Sequence, residues 1–162
     1  MSIKEIATPQ SNKEIATPQS NKEIATRWFT EFWHNGNPEI VDELAANDLV
    51  FRYPMHGELH GPEAVKAFLV EFIEAFPDMS FDVVGDLIGE GDYVVGRWEG
   101  GGTHTGPAFS ALPVGSLPAN SGKKIHFTGT TVYRVIDGKI AEEIGEEGAL
   151  TALQQLGVVP QQ

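Results

Sequence analysis

Two histidines, His104 and His126, are the side chains best suited to move protons near neutral pH, because an unperturbed imidazole titrates at about 6.5. Three carboxyls on the same half of the chain, Glu99, Glu143 and Glu147, could join them, since an apolar cavity raises a carboxyl pKa by desolvation. His104 follows Gly100-Gly101-Gly102 and precedes Thr105-Gly106. Those glycines either let the backbone approach a ligand or bend a strand. On an alternating strand His126 shares a face with Thr128, Thr130 and Val132, and that face is either cavity lining or solvent-facing. Arg97, between Gly96 and Trp98, could bind an anionic substrate group or pair with a neighbouring glutamate. His56-Gly57-Glu58-Leu59-His60 has the donor types of a zinc or iron site. Pro54, Gly57, Gly61 and Pro62 crowd that segment, so it reads as a loop at the rim of a pocket, with His56 as a rim residue and no metal assigned.

Other chemistries lack their residues. There is no cysteine, hence no thiol nucleophile, disulfide or Cys-based zinc site. No Gly-Lys-Ser/Thr and no Gly-x-Gly-x-x-Gly opens a helix after a strand, so the glycines are not nucleotide loops. Ser110, Ser116 and Ser121 have no nucleophile-elbow context. A formal net charge of −12 opposes nucleic acid and anionic membranes, and Lys123-Lys124 is the longest basic run. No stretch reaches the roughly 20 apolar residues of a membrane span, and the first residues lack a signal-peptide core, so a cytoplasmic protein is expected.

The elements that must position these groups follow from periodicity. The 162 residues, 41% hydrophobic, suit one domain. Lys-Glu-Ile-Ala-Thr-Pro-Gln-Ser-Asn begins at Lys4 and again at Lys13, and a third copy departs after Thr26. We read residues 1–19 as a repetitive extension and 20–159 as the domain. Ile24, Trp28, Phe29, Phe32 and Trp33 make an amphipathic helix stopped by Asn35-Gly36. A short helix follows Asn37-Pro38, and Leu49 to Tyr53 reads as a strand. Val65, Phe68, Leu69, Phe72, Ile73 and Phe76 stripe a third helix that Pro77 ends. Strands are expected from Met79 to Ile88, Tyr93 to Glu99, Lys123 to Ile136 and Lys139 to Ile144, the last pair joined by Asp137-Gly138. A long loop, 106 to 122, could act as a lid. Helices followed by hairpin-linked strands predict an α+β fold. A strongly curved, mostly antiparallel sheet should wrap about three N-terminal helices into a cone around an apolar pocket. Trp28 and Phe32 of the first helix, Phe72 of the third, Tyr53 and Trp98 are candidate substrate-binding walls.

Several of these segments together resemble the SnoaL-like polyketide cyclases. They are Phe76-Pro77-Asp78-Met79-Ser80-Phe81, Gly91 to Trp98, Gly102-Thr103-His104-Thr105-Gly106, Pro118-Ala119-Asn120-Ser121-Gly122 and Tyr133 to Ile140. The resemblance implies the cone fold of nuclear transport factor 2 and ketosteroid isomerase. It also implies acid/base chemistry without metal or cofactor, of which aldol ring closure is the founding example. By resemblance His104 takes the assisting role, and His126 stands near the position of the founding members' acidic residue. Ile144 and Gly148 replace the Trp and Asp of many relatives. The expected reading is therefore a cofactor-independent cyclase, isomerase or hydrolase for a small apolar carbonyl compound. His104 and His126 would be catalytic, Glu143 or Glu147 would tune them, and the molecule would be a homodimer. The same fold could instead serve as a non-catalytic binding or dimerisation module.

Overall fold

The computed structural model describes residues 18–162, so the nine-residue repeat lies almost wholly outside the described residues. In chain order the elements are α1 (Pro18–Phe29), continued by a π turn (Thr30–His34), α2 (Glu39–Leu44), β1 (Ala45–Tyr53), β2 (Gly57–His60), α3 (Pro62–Ala75), β3 (Ser80–Val83), β4 (Ile88–Glu90), β5 (Tyr93–Thr103), β6 (Lys124–Ile136), β7 (Lys139–Glu147) and α4 (Ala149–Gln155). Among the described residues no helix is long and apolar enough to cross a membrane.

The strands form one curved, open sheet in the order β2-β1-β7-β6-β5-β3, with β4 also pairing β5. All pairs are antiparallel except β1 and β7, which run parallel. The helices lie against the concave face, and a single apolar core runs between the layers, from Trp28 and Phe32 through Phe51, Phe68 and Phe72 to Phe127 and Ile125. This is the α+β cone expected from the pattern. Its bend depends on glycine: a Cβ at Gly101 would lie 1.9 Å from the carbonyl oxygen of Ile125. Only a residue without a side chain lets β5 and β6 approach that closely.

Three expectations are corrected. The segment after Pro54 is not all loop, because Gly57–His60 pairs with Val50–Tyr53. Helices do not all precede the strands, since this β1–β2 hairpin separates α2 from α3. The strand expected from Met79 to Ile88 is two strands, broken where Gly85 takes a φ of 77°.

One irregularity decides what faces the core. Between β6 and β7 the register reads Tyr133↔Glu143 and Arg134↔Glu142, then Val135↔Ile140. Ala141 is therefore an extra residue, a bulge that reverses the inside-outside parity of β7. Ile140 points inward, yet beyond the bulge Glu143 and Gly145 are the buried residues. Without Ala141, regular alternation would have buried Glu142 and Ile144 and turned Glu143 out.

Candidate active site

The π turn builds the first part of the site. Residues five apart on an α-helix are separated by roughly 140° around the axis, because each residue turns about 100°. At Thr30 the ladder changes, and the N–H of Asn35 bonds to Thr30 O at 2.9 Å, five residues back. That wider turn brings side chains five apart onto one face. Trp28 and Trp33 thereby aim both indoles at one carboxylate. Trp28 Nε1 donates to Glu143 Oε2 and Trp33 Nε1 to Glu143 Oε1, each at 2.7 Å. The hydroxyl of Tyr53 donates to the same Oε1 at 2.6 Å.

The network continues along the sheet. Trp98 Nε1 donates to Thr131 Oγ1 at 2.9 Å, and that hydroxyl lies 2.9 Å from the Tyr53 oxygen. Since Tyr53 gives its proton to Glu143 and Trp98 can only donate, the consistent direction is Trp98 to Thr131 to Tyr53 to Glu143. Two glycines make room for these rings. A Cβ on Gly145 would lie 1.9 Å from Tyr53 Cε1, and one on Gly129 would lie 2.2 Å from Trp98 Cζ2. Glu143 is wholly buried. Burial pushes its pKa up to about 7, while its hydrogen bonds from Tyr53, Trp33 and Trp28 pull the other way.

Beside this network is a small cavity lined by Phe29, Trp33, Tyr53, His56, Phe72, Phe81, Trp98, Phe127 and Glu147. About 10 Å³ of it is open to the centre of a water-sized sphere, within about 290 Å³ of unfilled space counted out to the mouth. The first figure is room for about one water molecule. Anything larger must part the rings.

Besides Tyr53, two ionisable groups meet this cavity. Glu147 Oε1 accepts the backbone N–H of Met55 at 2.8 Å, and among the described residues Oε2 accepts none. Burial pushes Glu147 up to about 7, with the charge of Glu146 acting in the same sense and the Met55 bond against it. His56 Nδ1 is buried without a partner, and burial pushes this imidazole down to about 4, against the pull of its hydrogen bond to the Ala111 backbone. Near neutral pH His56 is therefore uncharged, and Glu147 stands at the middle of its titration.

The structure sorts the sequence-derived candidates. Tyr53, His56, Phe72, Trp98 and Glu147 line the cavity. Trp28 and Glu143 stand one layer behind it in the hydrogen-bond network, and Phe32 stacks on Trp28 at 5.1 Å. His126 is not brought there: its side chain is exposed, because alternation turns Ile125 and Phe127 inward. Its backbone N–H and carbonyl instead pair with the Gln155 amide. Arg97 is likewise exposed, in an outer groove with Glu99, Thr128, Thr130 and Glu146.

His104 is wholly buried but not in the cavity. Its Nε2 lies 2.7 Å from the carbonyl of Pro107, so Nε2 carries the proton. Its Nδ1 accepts the backbone N–H of Ser121 at 3.3 Å and lies 2.7 Å from that residue's hydroxyl. Both nitrogens are spent on joining the two ends of the 106–122 loop, whose middle is closed by the Phe109–Leu117 bridge. His56, Glu58 and His60, the donor types of a metal site, do not converge, since Glu58 and His60 are exposed and pair with each other at 2.7 Å while His56 turns inward.

Trp33, Thr131 and the inward turn of Glu143 were not assigned to the site from the sequence. The spacing of five between Trp28 and Trp33 is the one trace of the π turn. The Ala141 bulge has no counterpart in residue type.

A concave sheet with helices in its mouth, an aromatic cavity and buried carboxyls define an α+β cone of the ketosteroid isomerase type. Within that class the chain belongs to the SnoaL-like polyketide cyclase family, whose model matches residues 23–156. A protein assigned as a SnoaL-like polyketide cyclase from Jannaschia sp. CCS1 is similar at 23% identity and a TM-score of 0.72, with 93% of this chain and 99% of that one covered. One assigned as a polyketide cyclase from Acidithiobacillus ferrooxidans is similar at 29% identity and a TM-score of 0.68, covering 86% and 96%. A protein of ketosteroid isomerase-like fold from Catenulispora acidiphila DSM 44928, in complex with trimethylamine, matches at 17% identity and a TM-score of 0.65 over 85% and 94%. At that identity the likeness carries the fold and not the ligand. Comparison with the curated proteins gives no match.

Proposed function

We propose that the chain is a cofactor-independent acid/base catalyst for a small apolar carbonyl compound, with Glu147 as the base. The observation that supports this reading is a carboxylate raised to about 7 in an aromatic cavity, with one oxygen held by Met55 N–H and the other uncommitted. A general base works best when its pKa lies near the working pH. In this reading Oε2 of Glu147 takes a proton from the carbon next to the carbonyl. The electron pair of that C–H bond becomes the enolate. The enolate carbon then attacks a second carbonyl in a ring closure, or is reprotonated elsewhere in an isomerisation. Glu147 returns its proton to the alkoxide or carbon, so no proton is gained or lost overall. Hydrolysis uses the same carboxylate to take a proton from water. The test is exchange of α-protons for deuterium in a panel of small cyclic ketones and 1,3-diketones, followed by NMR. Wild type should exceed Glu147→Gln by at least about a hundredfold for a bound ketone. Equal rates in the two proteins would refute the assignment.

The narrowness of the cavity favours a second reading, a binding module with no turnover. In that case a ketone would perturb the Trp33 and Trp98 indole resonances without any exchange at its α-carbon.

Homodimerisation belongs to the same proposal. The outer sheet face carries Val95, Val132 and Ile144 in one cross-strand row, with Arg97 and Glu146 in the next. Self-association of that face would cover the apolar row and bring opposite charges together. Sedimentation at micromolar concentration should give twice the chain mass, and a monomer would end this proposal. The cytoplasmic location is checked by cell fractionation.

A further inference from the structure

We propose that the cavity receives a compact organic cation, a tertiary or quaternary alkylammonium group, in preference to a neutral group of the same shape. The inference rests on the reading of this cavity as a ligand pocket, but not on catalysis.

Three rings form a corner. Phe81 and Trp98 have centroids 5.4 Å apart at 90°, Trp98 and Phe127 5.6 Å apart at 82°, and Phe81 and Phe127 5.7 Å apart at 80°. Trp33 closes a further side, 5.4 Å from Phe81 at 74°. The rings meet edge to face, and a cation that parted them would meet more than one π-face, the arrangement that holds alkylammonium ions.

Charge agrees with shape. Glu147 is in the cavity wall and Glu143 is one layer behind it. Among the described residues no Lys or Arg lines the cavity, and neither carboxyl forms a salt bridge. A carboxylate drawn into an apolar wall normally has a cationic partner, and among the described residues the half-buried Glu147 has only the Met55 N–H. His56 does not supply that cation, being uncharged at neutral pH. A neutral apolar ligand would use the rings and leave the carboxylate without a partner.

The test compares choline with 3,3-dimethyl-1-butanol, which has the same branching and no charge. Cyclohexanone serves as a neutral carbonyl probe and sodium chloride as the ionic-strength control. Binding is read from the indole N–H resonances of Trp33 and Trp98. Choline should bind at least about tenfold more tightly than the alcohol, and Glu147→Gln should remove that tenfold preference. Retained dispersion of the Glu147→Gln spectrum confirms its fold. Equal affinity for choline and the alcohol would overturn the inference, as would unmoved indoles at about 10 mM choline, a concentration that detects even very weak affinity. Cyclohexanone binding with choline silent overturns this inference and leaves the carbonyl reading intact. Choline binding with no ketone exchange does the reverse.

Discussion

Glu143 and Glu147 lie on the same strand, four residues apart, and burial raises both to about 7. Their surroundings nevertheless assign them opposite work. Glu143 is surrounded by donors: two indoles and a phenol fill its oxygens. It stands behind the cavity wall rather than in it. Glu147 has one backbone donor and faces the cavity. A raised pKa alone therefore does not identify a base. What separates the two groups is how much hydrogen-bonding capacity is left over, about three acceptor sites on Glu147 against one on Glu143, and that only Glu147 lines the cavity.

Exchanging each acid for its amide is the sharpest way to break this comparison. Glu147→Gln should lower α-proton exchange by about 10²–10⁴, the usual worth of a general base. Below pH 4.5, where the native carboxyl holds its proton, it should leave stability almost unchanged, since the amide oxygen can still accept from Met55. Glu143→Gln should behave the other way. The amide NH₂ would face an indole or phenol proton, stranding buried donors at a cost of about 3 kcal/mol. Urea denaturation measures that loss. If Glu143→Gln kept full stability and lost activity, the two assignments would have to be exchanged.

Gly145→Ala tests the same network from the side. The new methyl would overlap the Tyr53 ring, whose Cε1 lies 1.9 Å from an ideal Cβ. Overpacking of this kind costs about 1–3 kcal/mol. Because the ring cannot retreat without leaving Glu143, the Tyr53–Glu143 bond should lengthen. Unchanged stability in Gly145→Ala would mean that Tyr53 is not fixed by Glu143.

How much of this was legible in the residues follows from what each signal can carry. Stripes of apolar residues, a Pro77 stop and an Asp137-Gly138 turn announce helices and hairpins, because each reports a local backbone preference. The cone could be expected from them. Which way a strand residue faces cannot be read so directly when a bulge intervenes. The alternation of Ile140 and Ile144 points to the wrong face for Glu143, because Ala141 consumes one residue without a partner. His126 had an equal claim to either face, and only its inward neighbours Ile125 and Phe127 decide against it. His104 shows a third limit. Its glycine-rich setting is what a ligand site or a sharp bend would need, and its ring is consumed by Pro107 and Ser121. The sequence places Trp33 on the same apolar stripe as Trp28, as core or pocket wall, and only the π turn shows that both indoles reach one carboxylate.

The pH dependence of stability gives the finest discrimination between the two acids. A carboxyl whose folded pKa lies above its unfolded value holds its proton more tightly in the native state. Its contribution is complete below pH 4.5, the ordinary value, and is lost as pH rises toward about 7. His56 acts in the opposite sense: held down to about 4, it contributes above its ordinary 6.5 and loses that contribution as pH falls toward 4. The wild-type profile mixes these trends, so a difference is more informative. The stability of wild type minus that of Glu147→Gln should fall across pH 4.5 to 7. Its slope should approach about 1.4 kcal/mol per pH unit, the value for one proton. With saturating choline that slope should shrink, because a bound cation pairs with the ionised carboxylate and restores its folded pKa toward the ordinary value. A slope that choline leaves untouched would place the cation away from Glu147, even if the indoles respond.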